Sequence, residues 1–214
     1  MAYGPAVNQG AFMCRFIATV VALVSISITS AQAAGDPAKA QGIVNQVCAA
    51  CHGVDGNSPL PANPALAGQH PEYLLKQLTE FKAGTRSNPV MAGMVANLSL
   101  DDMRNLAAYY SSQTPKQMGA KDKDLVAQGR KLFRGGNSSN GTAACAGCHS
   151  PNGAGIPALY PRLASQHADY VVAQLKAFRA GDRANDPNQI MRSTAVKLTD
   201  KEITALAEYI SGLH

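Results

Sequence analysis

The chain has 214 residues, 46% of them apolar and 15% charged, with a formal net charge of +5. That length leaves room for an apolar core in each of one or two domains. Its bases are scattered and no aromatic-basic stripe accompanies them, so a nucleic-acid partner is not indicated.

Residues 1–33 hold one base, Arg15, and no acid, followed by an apolar run from Phe16 to Ile28 and the tripeptide Ala31-Gln32-Ala33. This is the pattern of a secretory signal. The run is shorter than the roughly 20 apolar residues of a membrane-spanning helix, so cleavage after Ala33 is expected rather than retention as an anchor. Cys14 would leave with the signal, and four cysteines would remain. In an oxidising compartment an even number suggests disulfides by default, but their spacing points elsewhere.

A first helix is expected at about 37–47, entering from Asp36-Pro37, and it runs into Cys48-Ala49-Ala50-Cys51-His52. C-x-x-C-H is the attachment signal of c-type haem: two thiols form thioethers to the haem vinyl groups, and the next residue presents imidazole to the iron. A structural zinc site or a pair of disulfides are the competing readings. Further on, Pro71–Ala83 sets Leu74, Leu78 and Phe81 on one helical face and stops at Gly84. Ser99-Leu100-Asp101-Asp102 resembles a capping box with a shortened acid and opens a last helix of this half. The stretch around Pro115 and Gly119, with charges but no periodicity, reads as a linker.

The same series then repeats. Cys145-Ala146-Gly147-Cys148-His149 lies 97 positions after the first motif, and at that offset Pro64-Ala65-Leu66-Ala67-Gly68-Gln69-His70 becomes Pro161-Arg162-Leu163-Ala164-Ser165-Gln166-His167. Tyr73, Gln77, Leu78, Phe81, Gly84 and Arg86 map to Tyr170, Gln174, Leu175, Phe178, Gly181 and Arg183. After three inserted residues Met91, Leu98, Ala107 and Tyr109 map to Met191, Leu198, Ala207 and Tyr209. A helix at about 124–133 precedes the second motif, Thr199-Asp200-Lys201-Glu202 is a standard capping box, and no run alternates like a strand. Gly135–Gly141 has no counterpart in the first half and reads as a flexible surface loop. The expectation is an all-α protein of two duplicated domains, 34–113 and 124–214, joined by a linker at 114–123.

A c-type haem in each half needs a second axial ligand. Met191 is the sole methionine after the second motif, whereas Met91, Met94 and Met103 compete in the first half. The repeat aligns Met91 with Met191 and Met94 with Thr194, which selects Met91. His70 and His167 are the rivals, since they too are repeat-equivalent; their place at a helix start favours a structural polar role. With His and Met bound, iron keeps no open position for a substrate, which argues for outer-sphere electron transfer at relatively high potential.

The duplicated CxxCH, the paired Pro-x-Leu-Ala-x-Gln-His segments and the late methionine resemble the dihaem cytochrome c4 family, over about Gly35 to His214. The resemblance implies two cytochrome c domains related by a pseudo-twofold axis, with two covalently bound c-type haems. Their ligand sets would be Cys48, Cys51, His52 and Met91, and Cys145, Cys148, His149 and Met191. It also implies a periplasmic electron carrier, loosely membrane-associated in some members, passing electrons from a quinol-oxidising complex towards a terminal oxidase. The carbonyls of Pro64 and Pro161 would accept from Nδ1 of His52 and His149, and Arg86 and Arg183 would contact haem propionates or the other domain. A cytochrome subunit of a dehydrogenase, such as a sulfide-oxidising flavocytochrome, is the nearest alternative. A dihaem peroxidase is disfavoured by the two matching methionines. The first half after the signal carries five Lys/Arg against six Asp/Glu and the second thirteen against eight, an asymmetry suited to orienting the protein before charged partners.

Overall fold

The computed structural model describes residues 1–4 and 35–214, so the expected export signal, Cys14 included, lies almost wholly outside the described residues. Residues 34–214 form one compact unit. The described residues contain helices and no strand; two isolated bridges, Asn137 with Thr142 and Ile156 with Tyr160, are the extended pairings among them.

The first half opens with α1 (Pro37–Ile43), whose Asp36 cap accepts from the Ala38 N–H and whose Pro37 sits where a missing N–H costs nothing. A π-helical turn, Val44–Cys48, continues it directly into α2 (Ala49–His52). The expected helix is therefore there, but it widens by one turn as it reaches the first cysteine. Then come α3 (Pro71–Ala83), α4 (Pro89–Val95) and α5 (Leu100–Ser111). The second half has α6 (Lys123–Gly135), α7 (Ala146–His149), α8 (Ala168–Ala180), α9 (Ile190–Ala195) and α10 (Asp200–Ser211). Both capping boxes form, Ser99 with Asp102 and Thr199 with Glu202. The three residues that shift the repeat register are taken up at a 3₁₀ turn, Pro187–Gln189, just before α9.

In each half the first helix crosses the last. Ala40 and Val44, fully buried, meet Leu106, Ala107, Tyr109 and Tyr110 of α5, with Leu74 of α3 closing the cluster. In the second half Phe133 is fully buried against Ile203, Leu206, Tyr209 and Ile210 of α10 and Val171 of α8. There α6 and α10 approach at Gly129, where an added Cβ would fall 2.0 Å from the Ala205 carbonyl oxygen. Glycine is required by the closeness of the two backbones.

The loop at 135–141 differs from expectation. It lies on the surface, but Asn137 donates to Glu202, Asn140 to the Lys197 carbonyl and Lys197 to the Gly141 carbonyl, at 2.8, 2.9 and 2.7 Å. Its polar residues staple it to the end of α9 and the start of α10. The connector between the halves is likewise strapped down: Asn57 donates to the Thr114 carbonyl and accepts from the Lys116 N–H, and Glu208 accepts from the N–H groups of Lys121 and Asp122.

The two halves meet along α3 and α8. Arg86 donates to Gln77 of its own half and to Tyr170 and Gln174 of the other, at 2.7, 3.0 and 3.0 Å. Arg183 mirrors it, donating to Gln174 at 2.7 Å, Tyr73 at 3.0 Å and Gln77 at 3.3 Å. Each guanidinium also stacks over a phenylalanine of its own half, Arg86 on Phe81 at 4.5 Å and Arg183 on Phe178 at 4.4 Å. A contact in which residue i meets j and the equivalent of j meets the equivalent of i is isologous, so a pseudo-twofold axis passes through this seam. The inter-domain role is the one these two arginines take here.

Candidate haem sites

Each CxxCH motif forms a single helical turn that ends on its histidine. His52 closes α2 and His149 closes α7, and both imidazoles are buried, 8% and 5% exposed. The chain must then reverse sharply, and it does so with positive φ at Gly53 (76°) and at its counterpart Ser150 (67°). The reversal leads into a loop pinned in the same way in both halves: Leu66 and Ala67 donate to the Gly56 carbonyl, and Leu163 and Ala164 to that of Gly153.

That loop brings a carbonyl to each histidine. His52 Nδ1 donates to Pro64 O at 2.9 Å and His149 Nδ1 to Pro161 O at 3.0 Å. A carbonyl can only accept, so Nδ1 carries the proton and the Nε2 lone pair of a neutral ring is left for a metal. Burial keeps both rings neutral, holding their pKa values below the ordinary range against the opposing pull of the proline carbonyls. This tautomer and charge state suit a metal ligand.

All four thiols of the described residues, Cys48, Cys51, Cys145 and Cys148, are free and half-buried. Burial pushes the Cys48 thiol up, partly offset by a hydrogen bond with Tyr110, and takes Cys145 to about 11. Cys48 and Cys145 are therefore protonated and weakly nucleophilic near neutral pH, unlike the attacking thiol of a redox dithiol, whose reactivity depends on a depressed pKa. Among the described residues no three His, Cys, Asp or Glu side chains converge to hold a metal ion. Two thiols and one imidazole lone pair on one turn suit a covalently tethered haem whose iron is held from one side.

Met91 and Met191 stand at the start of α4 and α9, both half-buried. The Asn88 side chain accepts from the Met91 N–H and caps α4. In the second half the largely buried Asp186 accepts from the Arg192 N–H and Nε, at 3.0 and 2.7 Å, and fixes the start of α9. The competing methionines sit differently: Met103 is packed in the core at 3% exposure and Met94 is 47% exposed. His70 and His167 both occupy the residue before a seam helix. His167 Nε2 pairs with Ser58 O of the other half at 2.9 Å, while His70 Nε2 is buried without a hydrogen-bond partner.

The glutamines of the seam were the features that pattern reading missed. Gln77 and Gln174 lie on the same helical faces as Leu74 and Val171, and their recurrence in both halves at a core-facing position was the available signal.

The cytochrome c family profile matches this chain twice, at residues 37–114 and 126–214. Cytochrome c4 of Azotobacter vinelandii is 51% identical over 209 residues, covering 92% of this chain and 99% of its own. A thiosulfate dehydrogenase electron acceptor of Stutzerimonas stutzeri is 38% identical, covering 90% of this chain and 92% of its own. The crystal structure of reduced recombinant cytochrome c4 from Pseudomonas stutzeri superposes with a TM-score of 0.81 at 50% identity, over 85% of this chain and all of that one. With two such domains, two tethering motifs and two carbonyl-fixed histidines, the chain belongs to the dihaem cytochrome c4 family, electron-transfer proteins rather than enzymes, with two covalently bound c-type haems.

Proposed function

We propose that this protein is an exported periplasmic carrier that takes electrons from a quinol-oxidising complex and passes them towards a terminal oxidase. Residues 1–33 act as the cleaved signal, 34–113 and 124–214 as the two haem domains, and 114–123 as the linker. The observation that carries the reading is the pair of buried histidines, each with Nδ1 tied to a proline carbonyl and Nε2 left unprotonated beside two thiols.

The haem iron supplies the one-electron couple. Cys48 and Cys51, and Cys145 and Cys148, tether the two cofactors, so that neither depends on non-covalent affinity. His52 and His149 would bind the iron with a ring orientation set by the proline carbonyls, and Met91 and Met191 would add a soft thioether that favours the reduced state. With both ligands bound, no position would remain for a substrate. The bonds of Arg86 and Arg183 across the seam join the half that carries one site to the half that carries the other.

The acidic-to-neutral first half and the basic second half suit different docking partners, one on each side of the molecule. No helix of the described residues is long and apolar enough to cross a membrane. The likeness to thiosulfate dehydrogenase electron acceptors favours a second donor class, an enzyme oxidising reduced sulfur.

The test is stopped-flow reduction of the purified oxidised holoprotein by each donor class, with haem counted per chain after alkaline pyridine treatment. Two haems per chain, with fast salt-dependent reduction by the quinol-oxidising complex and reoxidation by a terminal oxidase, is the expected result. Fast reduction by a thiosulfate dehydrogenase alone would reassign the donor, and peroxide turnover by the isolated protein would overturn the carrier reading.

A further inference from the structure

The carbonyl that orients each axial histidine belongs to a peptide unit whose other end is held by the opposite half. Pro64 O accepts from His52 Nδ1, and the N–H of the same amide, that of Ala65, donates to Gln166 Oε1 at 2.8 Å. Pro161 O accepts from His149 Nδ1, and the N–H of that amide, Arg162, donates to Gln69 Oε1 at 2.8 Å. The two glutamines also donate from Nε2, Gln166 to Ala65 O at 3.0 Å and Gln69 to Arg162 O at 2.9 Å, and each Oε1 accepts a further bond from the next residue's N–H, that of His167 at 3.1 Å and of His70 at 3.0 Å. Both are buried, 7% exposed for Gln69 and 8% for Gln166.

An amide is a conjugated unit, so a hydrogen bond accepted from its N–H pushes electron density onto its carbonyl oxygen. A more negative oxygen is a stronger acceptor for Nδ1–H, and a more strongly held Nδ1–H makes the imidazole a more basic metal ligand. A more electron-donating ligand favours ferric iron and lowers the potential, the outer-shell lever by which a protein sets a haem's redox poise. The chain of influence runs across the seam in both directions.

We propose that Gln69 and Gln166 are positioning residues that set the redox poise of the haem in the opposite half: Gln166 acts through the Pro64–Ala65 peptide on His52, and Gln69 acts through the Pro161–Arg162 peptide on His149. This rests on the haem-carrier reading, with His52 and His149 as iron ligands. Its consequence is that docking of the halves, beyond setting the distance between two haems, makes each domain part of the other's ligand environment. A single domain separated from its partner would lack that contribution.

The test uses the full-length holoprotein in its reduced, diamagnetic state, with the Nδ1–H resonances of His52 and His149 observed by ¹H–¹⁵N NMR and the two potentials resolved by spectroelectrochemical titration. Gln166→Met keeps the volume and removes both hydrogen bonds to Ala65, together with the one accepted from the His167 N–H. It is expected to move the His52 Nδ1–H resonance upfield and raise the potential of the haem on Cys48 and Cys51, leaving the His149 resonance in place. Gln69→Met is expected to do the reverse. Gln166→Glu keeps an acceptor and strengthens it, and moves the His52 resonance downfield, a reversal of sign that loosened packing does not give. A shift confined to the residue's own half, equal shifts in both halves, or none in a fully loaded protein overturns the inference alone. A wild-type protein without haem overturns the functional reading, and the inference falls with it.

Discussion

Arg86 Nη2 lies 3.0 Å from the hydroxyl oxygen of Tyr170, so a guanidinium of the first half is held by a phenol of the second. The symmetric contact joins Arg183 to Tyr73, where burial resists ionisation of the phenol but Arg183 and Arg86 outweigh it and hold its pKa below the ordinary value. Two buried cations face neutral amides and phenols here, with Glu80 reaching the cluster through Asn185 from one side only.

Arg86→Ala leaves Tyr170 without its donor and strips a stacking partner from Phe81. A buried polar group deprived of its partner costs about 1–3 kcal/mol, and the lost stacking adds to it, so a loss on the order of 2–3 kcal/mol is expected. Arg86→Lys recovers little of this, because a single ammonium cannot reach Gln77, Tyr170 and Gln174 with the geometry of a fork. Guanidinium chloride unfolding of the holoprotein, followed by far-UV circular dichroism, reads both variants; equal midpoints for wild type and Arg86→Ala would show that the seam adds nothing to stability.

The crossing of α6 and α10 has no room for a side chain at Gly129, where a Cβ would lie 2.0 Å from Ala205 O and 2.7 Å from Tyr209 Cβ. Gly129→Val forces the helices apart and disturbs the packing of Phe133 on Tyr209, whose rings lie 5.4 Å apart. Overpacking of this kind costs on the order of 3 kcal/mol. The first half provides a control: Gly42 on α1 has open space around its Cβ position, and Gly42→Ala is expected to be neutral or slightly stabilising. Thermal unfolding of the two variants side by side checks the contrast.

The connector is held to the first half by Lys116 on Asp55, 2.9 Å apart. Lys116, and then the backbone N–H of Asn57, lower the Asp55 pKa from 3.8 to about 2. A carboxyl depressed on folding contributes stability that is fully present above its unfolded pKa and is lost as pH falls through the folded one. The acid limb of the stability profile between about pH 4 and pH 2 is therefore expected to be shallower in Asp55→Asn, with the two proteins differing above pH 4 and converging near pH 2. Both side chains are well exposed, so salt should reduce the difference. Urea midpoints across that pH range at low and high ionic strength are the measurement.

The duplication was legible because each half repeats residues whose types are set by geometry: cysteines that must lie on one turn, a proline whose carbonyl meets the histidine, a glycine ending α3 and α8. The long helices were legible too, from their caps and apolar spacing. Two kinds of feature were not. Helices α4 and α9, seven and six residues long, are too short to show a period, and their positions follow from the Asn88 cap and from the Asp186 carboxylate bonded to Arg192, both of which resemble ordinary loop residues. Gln69, Gln77 and Gln166 are buried and Gln174 half-buried at the seam, each bonded to the other half. Their partners lie in the other half, so apart from their recurrence in both halves no local pattern encodes their role.

The methionine assignment has a sharp test because the three candidates of the first half occupy such different places. Met103 belongs to the core and its removal would cost stability whatever the haem does; Met94 points outward, and Met91 begins α4 beside its Asn88 cap. A thioether bound to ferric haem gives a weak far-red band, so in a protein with two His/Met sites each axial methionine accounts for about half of it, and its loss lowers the potential of the affected haem because sulfur favours ferrous iron. Met91→Ala and Met191→Ala are each expected to remove about half of the band while the count of two haems per chain is kept, and the double variant to remove all of it. Met94→Ala should leave the band intact. Loss of the band in Met94→Ala with Met91→Ala unchanged would move the ligand one turn along α4 and break the equivalence with Met191, and with it the symmetry of the two iron sites.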